Sequence, residues 1–374
     1  MDPTPVMLRV LEAARWAPSG DNAQPWRFVV REPFAFDVYG YDTRAHCVYD
    51  LDGHPSQISI GALLETIVIA ATHFGLSARV TRRGGTPDEH PVFDVSLTAR
   101  PGRTEDPLAA HIRARTTQRR PLSRRRLTPL QKGALAQAVV PEYSLQWFER
   151  TGARAKVAWL DFKSAHLRLT IPEAYEVHRN VIEWDADVSE DRVPAGALGA
   201  GRASLRMMRW ALASWQRVDR LNRFAAGTLM PRLELDLVPG LACGAHVVLV
   251  AAGPPRTLDD YVAAGRALQR FWLTATSLGL QFQPEYTPLI FARYARERVR
   301  FSARERALRE AAVIRARVER LLGAEVAERA VFMGRLGIAT PVAARSARLP
   351  LDRLMVERNA GDAEPAAHAS ADRA

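Results

Sequence analysis

The sequence predicts an α+β protein. Helix-forming Ala, Leu, Arg and Glu dominate its 374 residues, which argues against an all-β fold. Short apolar runs between the helical segments are typical of strands. With 47% hydrophobic residues, the chain has enough apolar material for a sizeable core. Its length suggests about two to three domain-sized units.

Hydrophobic spacing defines the elements of the N-terminal third. Apolar residues recur at helical spacing over residues 4–16, and a loop rich in helix breakers follows at 17–22. A strongly apolar helix is expected over 57–75, ended by Gly75. Three strands are predicted in this region: 26–30, 77–82 and 91–98.

A polar connection at 99–106 precedes what we interpret as a second unit. Thr128 followed by Pro129 fits a helix N-cap with proline in the first turn. The predicted helices of this unit are 107–115, 129–138, 155–169, 257–278 and 303–322. The predicted strands are 144–149, 244–252 and 329–333.

Three further stretches of the second unit have distinct patterns. Residues 172–236 are rich in Trp, Met and Arg, and we interpret them as a helical segment outside any sheet. The segment 280–290 is expected to be extended. Residues 357–374 lack periodicity and are expected to be disordered.

Charge and cysteine content restrict the functional classes. The net charge is +11, and 49 of the 52 basic residues are Arg, because Lys occurs only at 132, 156 and 163. Arg suits phosphate and carboxylate groups, so charge alone leaves nucleic acid, an anionic membrane or an anionic cofactor open. No zinc, helix-turn-helix or RNA-recognition signature is present. We therefore do not expect a nucleic-acid partner.

The remaining composition points to a cytoplasmic protein without a membrane or metal partner. Cys47 and Cys243 form no disulfide framework, and the nine His residues show no metal-binding spacing. Met1 leads directly into a helix pattern, so no signal peptide is expected. No run of about 20 uncharged apolar residues predicts a membrane span.

Two segments suit a planar heterocyclic ligand. The first is the tight loop Pro18-Ser19-Gly20-Asp21-Asn22-Ala23-Gln24-Pro25-Trp26, whose backbone N–H groups and short polar side chains could face ring nitrogens and carbonyls. An ordinary turn with Asx hydrogen bonds is the alternative. The second is the extended stretch that contains Pro284, Glu285, Tyr286 and Thr287. A plain edge strand is its alternative.

Two other segments suit a phosphate. Arg115-x-Thr117-x-Arg119 places two guanidinium groups and a hydroxyl within five residues, which can hold a dianion through charge-assisted hydrogen bonds. Arg345 and Arg348 form a second arginine pair near the C-terminus. A solvated basic turn and a surface loop are the respective alternatives.

The order and company of these segments resemble the nitroreductase family. The first loop is similar to its Pro-Ser-x-x-Asn-x-Gln-Pro-Trp signature. The Arg115 segment resembles the family's Arg-x-Ser-x-Arg/Lys phosphate motif, with Thr117 in place of Ser. The stretch around Glu285 resembles the one that passes the central flavin ring, and Arg348 resembles the C-terminal arginine that returns to the phosphate.

Because the Pro-Ser loop precedes the phosphate motif, the arrangement resembles the fused, double-length nitroreductase-like proteins, including the Acg-like and MoeY-like groups of bacteria. That resemblance implies a central, mostly antiparallel sheet flanked by helices. It also implies a shortened first copy over 1–104 and a second copy over 105–356 with the insertion 172–236. The two copies would form an intrachain pseudo-dimer, as a monomer or within a homodimer.

The same resemblance implies an FMN site and a reaction. Arg115, Thr117, Arg119, Arg345 and Arg348 would hold the phosphate. Pro18, Ser19, Asn22 and Gln24 would meet the flavin, and the backbone near Tyr286 and Thr287 would face its N5 atom.

The implied activity is hydride transfer from NAD(P)H to a small-molecule acceptor of the nitroaromatic or quinone type. The alternative is a non-catalytic protein that stores FMN under a lid. The insertion could be that lid, or it could be a subunit interface.

Overall fold

The computed structural model describes residues 3–224, 227–340 and 343–356. Within these ranges the strands form two four-stranded antiparallel sheets and two short, two-stranded parallel pairs. The mixed α+β class with antiparallel sheets is therefore confirmed, but the strands are divided between two sheets rather than gathered in a single central one. The predicted disordered tail, 357–374, lies outside the described residues.

The first sheet belongs to the N-terminal part of the chain. Its four strands, in spatial order, are Trp26–Glu32, Ala35–Gly40, Val92–Ala99 and Leu76–Arg82. The strand Ala35–Gly40 was not predicted, because Asp37 interrupts its apolar residues. That carboxylate is buried and forms ion pairs with Arg31 and Arg83, which makes it compatible with the sheet.

The second sheet is built from the C-terminal two thirds of the chain. Its strands, in spatial order, are Gln281–Pro284, Ala330–Gly337, Ala245–Ala251 and Tyr143–Phe148. One core packs Val248 and Met333 against helices Thr151–Thr170, Thr287–Glu297 and Glu305–Leu322. Another core packs Phe282 and Leu249 against helix Leu258–Ser277.

Two 20-residue helices join the regions that carry the two sheets. Helices His54–His73 and Leu258–Ser277 approach so closely at Gly61 and Gly265 that a Cβ atom at either glycine would lie 2.0 Å from a backbone carbonyl oxygen. Within the described residues, helix His54–His73 is long and apolar enough to cross a bilayer, but 89% of its most apolar window is buried against the rest of the protein.

The remaining elements correct several predicted boundaries. Thr128 is the helix N-cap, with proline in the first turn, as predicted, and it also forms a capping box with Gln131. The predicted helix 107–115 is limited to one short 3₁₀ turn. The segment 280–290 is extended only to Pro284, since Pro288 favours the first turn of a helix. The helices outside the insertion that have not yet been given are Pro3–Ala14, Gly20–Asn22, Pro107–His111, Pro129–Gln137, Ala324–Arg329 and Leu351–Leu354.

The insertion 172–236 is only partly helical, so the all-helical prediction was wrong. Pro194 and three nearby glycines (196, 199 and 201) interrupt the helical pattern. The strand Val188–Ser189 pairs in parallel with Arg345–Ser346, which attaches the insertion to the C-terminal arginine segment.

The insertion and the residues that follow it contain the elements Pro172–Val181, Ile182–Glu183, Val188–Ser189, Val193–Pro194, Ala195–Leu198, Arg202–Leu212, Trp215–Phe224, Leu229–Arg232, Leu233–Leu237 and Val238–Leu241.

Candidate functional site

A large cavity of about 2140 Å³ is lined by residues from both sheet regions and from the insertion. Small-molecule sites usually measure roughly 300–1,000 Å³, so this cavity has room for a cofactor together with a second ligand. Twelve of the thirteen residues proposed from the sequence line it: Pro18, Ser19, Asn22, Arg115, Thr117, Arg119, Pro284, Glu285, Tyr286, Thr287, Arg345 and Arg348.

Gln24 is the proposed residue that does not line the cavity. Its side chain is fully buried. The amide nitrogen donates to the carbonyl oxygens of Asn22 and Glu190, and the amide oxygen accepts from the N–H of Leu349. Gln24 therefore joins three chain segments behind the wall instead of contacting a ligand.

The N-terminal loop is held in an unusual backbone conformation. Asp21, Asn22 and Gln24 have φ values of 49°, 63° and 49°, in the left-handed region that residues other than glycine seldom adopt. The Ser19 hydroxyl accepts the N–H of Gln24 and so stabilises the loop. The Asn22 amide nitrogen donates to Glu190 O, while its Oδ1 atom is buried without a hydrogen-bond donor.

Three arginines, Arg115, Arg345 and Arg348, converge on one end of the cavity, and we call them the cation cluster. Arg115 and Arg348 are buried, and each donates to a backbone carbonyl at the end of the first helix: Arg115 to Trp16, and Arg348 to Ala17. Aromatic faces support the other contacts. The guanidinium carbon of Arg345 lies 5.0 Å from the Trp16 ring centroid, and that of Arg115 lies 4.6 Å from another indole, Trp272.

No carboxylate in the described part of the chain lies within ion-pair distance of the cation cluster. Burial and the charges of Arg348 and Arg345 lower the pKa of Arg115 well below its usual value. Burial and the charges of Arg345 and Arg15 lower the pKa of Arg348 to about 9. The Nε atoms of Arg115 and Arg345 are buried without acceptors. Arginines remain charged in proteins, so this end of the cavity is suited to an anion.

Thr117 and Arg119 extend the cation cluster along the cavity. Thr117 forms a parallel bridge with Phe282. The extended backbone points alternate side chains in opposite directions, which brings Arg115, Thr117 and Arg119 to the same wall. Arg119 donates to Ala197 O. Burial lowers its pKa, opposed by the nearby carboxylate of Asp21.

Helix Thr287–Glu297 begins at the cavity wall. The first N–H groups of a helix have no partners within that helix and carry partial positive charge. Tyr286 is fixed beside them, because its ring stacks on Phe332 at 4.9 Å and its hydroxyl accepts from Arg293. The backbone at Tyr286 and Thr287 thus offers donors through a helix start rather than through the predicted strand.

A second group of charges, Asp161, His246, Glu285 and Arg335, lies beyond Arg119, and we call it the buried ion cluster. His246 Nδ1 lies 2.7 Å from Glu285 Oε2, and the other carboxylate oxygen accepts from Arg335 at 2.6 Å. Arg335 also donates to Arg119 O. Both Asp161 oxygens are buried without hydrogen-bond donors.

Sequence reasoning missed three members of this cluster. Asp161 lies between the apolar residues Leu160 and Phe162 in the sequence of its helix, and His246 and Arg335 lie within buried strands. Isolated ionisable residues inside apolar runs were the available signal. The cavity wall includes Glu285, which the sequence predicted. It also includes four charged residues that the sequence did not predict: Asp161, Arg335, Arg168 and Asp236.

The neighbouring wall also consists of paired polar groups. Arg168 donates to Asp236 at 3.1 Å. Tyr49 Oη and His178 Nε2 are 3.0 Å apart. Burial and the charge of Arg168 lower the pKa of His178 to about 3, so this imidazole is neutral at pH 7.

The donor set fits a phosphorylated heterocycle. The cation cluster supplies unpaired donors for a phosphate, and Asn22 Oδ1 supplies an unpaired acceptor for a ring N–H. The absence of a metal motif in the sequence does not extend to the fold. Among the described residues, Asp161, His246 and Glu285 place potential metal-ligand atoms within 4.8 Å of one another.

Comparison with known proteins gives limited similarity. No family model matches the chain. The uncharacterized protein MT1398 of Mycobacterium tuberculosis is 26% identical over 299 residues, which cover 78% of this chain. This chain spans only 40% of that relative's length. A nitroreductase-like family protein from Bacillus cereus, solved as a crystal structure, aligns over 68% of this chain and 96% of its own, with 15% identity and a TM-score of 0.35. Similarity at these levels fixes neither the family nor the activity.

Proposed function

We propose that the cavity binds FMN and that the protein passes hydride from NAD(P)H to an electron-poor acceptor such as a nitroaromatic compound or a quinone. The observation that carries this proposal is the cation cluster. Three buried or half-buried guanidinium groups share no carboxylate in the described chain, so a phosphate dianion would supply the missing negative charge.

Each part of the flavin has a proposed partner in the cavity wall. Arg115, Arg345 and Arg348 hold the phosphate, with the Thr117 hydroxyl and Arg119 beside them. Asn22 Oδ1 accepts the N–H of the flavin ring. The backbone donors at Tyr286 and Thr287 would face the ring edge that exchanges hydride. The flavin supplies the redox chemistry, and the protein binds and orients it.

The proposed two-copy architecture has support in the fold. Residues 1–104 and 105–356 each contribute a four-stranded antiparallel sheet. Each also contributes one of the two 20-residue helices that cross at Gly61 and Gly265. We propose that the chain forms a pseudo-dimer with a single cofactor cavity shared by both copies.

A protein that stores FMN without turnover is the second candidate. The insertion forms one wall of the cavity through residues such as Met208, Leu212 and Leu221. A closed wall of this kind would keep NAD(P)H away from the flavin. Trp210 does not line the cavity and is 52% exposed, so it has no place in such a lid.

The outer face of the insertion supports a different role. Met207, Trp210 and Phe224 are exposed by 39%, 52% and 84%. An apolar surface of this kind is suited to a second subunit. The lid and the interface use opposite faces of the insertion and do not exclude one another.

Flavin occupancy tests the proposed cofactor. We expect the purified protein to show flavin absorbance and to release FMN rather than FAD on denaturation. Arg348→Met should weaken FMN binding by about 1.5–3 kcal/mol, the cost typical of losing a charge-assisted hydrogen bond. The matched change Arg125→Met, at an exposed arginine, should leave affinity unchanged. A colourless protein that also fails to bind added FMN contradicts the proposal.

Transient kinetics distinguish the enzyme from the store. If the insertion gates access, Met208→Ala with Leu221→Ala should accelerate flavin reduction by NADPH in stopped flow, because lid opening limits the wild-type rate. Trp210→Ala with Phe224→Ala should leave that rate unchanged. If the outer face is an interface, this second variant should sediment as a smaller particle. Rapid reduction in the wild type, with no acceleration in the first variant, removes the gating hypothesis.

A further inference from the structure

The hydrogen bonds of the buried ion cluster account for the protons at His246 and Glu285, but they leave the Asp161 carboxyl without a donor. His246 Nε2 lies 2.9 Å from Gly240 O, which can only accept, so Nε2 carries a hydrogen. His246 Nδ1 faces Glu285 Oε2 at 2.7 Å. Two acceptors at that distance repel one another, so a proton must lie between the ring and the carboxylate. The His246 imidazole and the Glu285 carboxylate are therefore joined by a hydrogen bond, and neither of the two facing atoms lacks a partner.

Asp161 lies beside this pair without a partner of its own. It is 6% exposed, both of its oxygens are shielded from solvent, and neither accepts a hydrogen bond. Glu285, His246, Asp236 and Arg335 are the charged groups that face it. An ionised carboxylate without donors is costly in a buried site, whereas the protonated form removes that cost.

A proton fits this cluster better than a divalent cation. The three potential ligand atoms lie within 4.8 Å of one another. However, Arg335 already neutralises one oxygen of Glu285, and a proton already joins the other oxygen to His246. A metal would have to displace that proton and stay close to a buried guanidinium group. The same residues hold a proton without rearrangement.

We infer that Asp161 is the internal proton store of the cavity, which holds a proton at neutral pH and yields it when an acceptor in the cavity is reduced. The group belongs to the cavity wall together with Glu285 and Arg335. One Asp161 carboxyl oxygen lies within 4.8 Å of a Glu285 carboxylate oxygen.

The reaction in the proposed function requires such a proton, and the inference rests on that function for its role in turnover. A quinone that accepts one hydride from the reduced flavin gains two electrons and one proton. It needs one further proton on its second oxygen to become the hydroquinone. Asp161 supplies that proton and becomes a carboxylate, which is protonated again from water after the product leaves.

Infrared spectroscopy tests whether Asp161 holds a proton, and the test requires no enzymatic activity. The flavin-free, full-length protein should show a carboxylic-acid C=O band at pH 7, and aspartate labelled with ¹³C should shift this band. Asp161→Asn should abolish it, and Asp88→Asn, at an exposed aspartate, should leave it intact. A wild type without the band overturns the inference, as does a band that survives Asp161→Asn or disappears when micromolar Zn²⁺ is added.

The oxidative half-reaction tests the delivery of the proton. With FMN bound, Asp161→Asn should slow reoxidation of the reduced flavin by a quinone about 10²-fold, while its reduction by NADPH stays unchanged. In the wild type, reoxidation should slow as the pH rises and Asp161 ionises, and in the variant it should no longer depend on pH in that range. An unchanged reoxidation rate in the variant overturns the donor role. If the protein takes up no flavin, the proposed function fails, and the infrared band at pH 7 still decides whether Asp161 holds the proton.

Discussion

The cation cluster and the buried ion cluster differ in how their buried charges are compensated. In the cation cluster, Arg115, Arg345 and Arg348 repel one another, and no described carboxylate compensates them. In the buried ion cluster, Glu285 accepts from both His246 and Arg335. Burial raises the pKa of Glu285, but the two cations overcome this effect and the pKa is lowered overall.

This difference separates residues that build the wall from residues that await a ligand. A buried ion pair loses several kcal/mol when one partner is removed, because the other charge remains buried and unpaired. Buried like charges instead destabilise the ligand-free protein, and an anion that binds them restores the balance. Ligand binding is therefore expected at the cation cluster, where the protein leaves its own charges unpaired.

Removal of Arg335 should have the largest effect on folding. Arg335→Met leaves Glu285 with only His246 and deletes the bond to Arg119 O. We expect the free energy of unfolding of the ligand-free protein to fall by about 3–5 kcal/mol. Urea denaturation measures it.

The matched control for that experiment is Arg125→Met. Arg125 is exposed, and such surface changes usually stay within about 0.5 kcal/mol. A loss of less than 1 kcal/mol on Arg335→Met would show that the ion pair between Arg335 and Glu285 does not stabilise the fold. The contrast between the buried ion cluster and the cation cluster would then disappear.

The same substitution in the cation cluster should have the opposite sign in the ligand-free protein. Arg115→Met removes a buried charge that faces Arg345 and Arg348, so the free energy of unfolding should stay constant or increase. The stabilisation gained from added FMN should decrease instead. Saturation at about 100 times Kd stabilises wild type by about 2.7 kcal/mol, and thermal unfolding with and without FMN measures the difference. Equal destabilisation of both forms would mean that Arg115 is a structural residue.

The sequence predicted the composition of the site better than its long-range contacts. The sequence revealed the motifs at Pro18–Asn22, Arg115–Arg119 and Arg345–Arg348 because each is a short local pattern. Residues of all three line the cavity. Sequence could not place Asp161 or Arg335, because the charged groups around them come from distant strands and helices.

Fold prediction failed at elements whose stability depends on such distant pairing. The strand Ala35–Gly40 depends on Arg31 and Arg83 to neutralise Asp37. The strand Val188–Ser189 exists through its pairing with Arg345–Ser346, more than 150 positions along the chain. Long periodic helices, such as His54–His73 and Leu258–Ser277, were recognised because their signal is local.

Gln24 distinguishes a structural residue from a ligand contact within one motif. Gln24→Leu leaves the buried N–H of Leu349 without its acceptor and removes one of the two donors to the carbonyl oxygen of Glu190. We expect a loss of about 2 kcal/mol in the free energy of unfolding of the ligand-free protein. The matched change Asn22→Leu also removes the acceptor that we assign to the flavin ring, so it should cost FMN affinity in addition. Unchanged stability of Gln24→Leu, with reduced FMN affinity, would place Gln24 in the binding site after all.

The smallest expected effect concerns pH and the cavity wall that carries His178. Burial and the charge of Arg168 hold His178 neutral, with a pKa of about 3 compared with 6.5 in the unfolded chain. Below pH 6.5 the unfolded chain binds a proton at this histidine that the folded protein does not. The free energy of unfolding should therefore decrease as the pH falls from 6.5 towards 3, and this contribution should be constant above pH 6.5.

His178 borders the cavity, so water screens part of this cost, and we expect a decrease of about 1 kcal/mol between pH 7 and pH 5. His178→Gln keeps a hydrogen-bonding group for the Tyr49 hydroxyl but cannot titrate. Its unfolding curve should lose that part of the pH dependence, whereas His90→Gln, at an exposed histidine, should follow the wild type. If His178→Gln and the wild type have the same slope between pH 7 and pH 5, His178 accepts a proton freely in the folded protein. The wall that carries His178 and Arg168 would then tolerate an additional positive charge, and charge compensation would not be what separates it from the cation cluster.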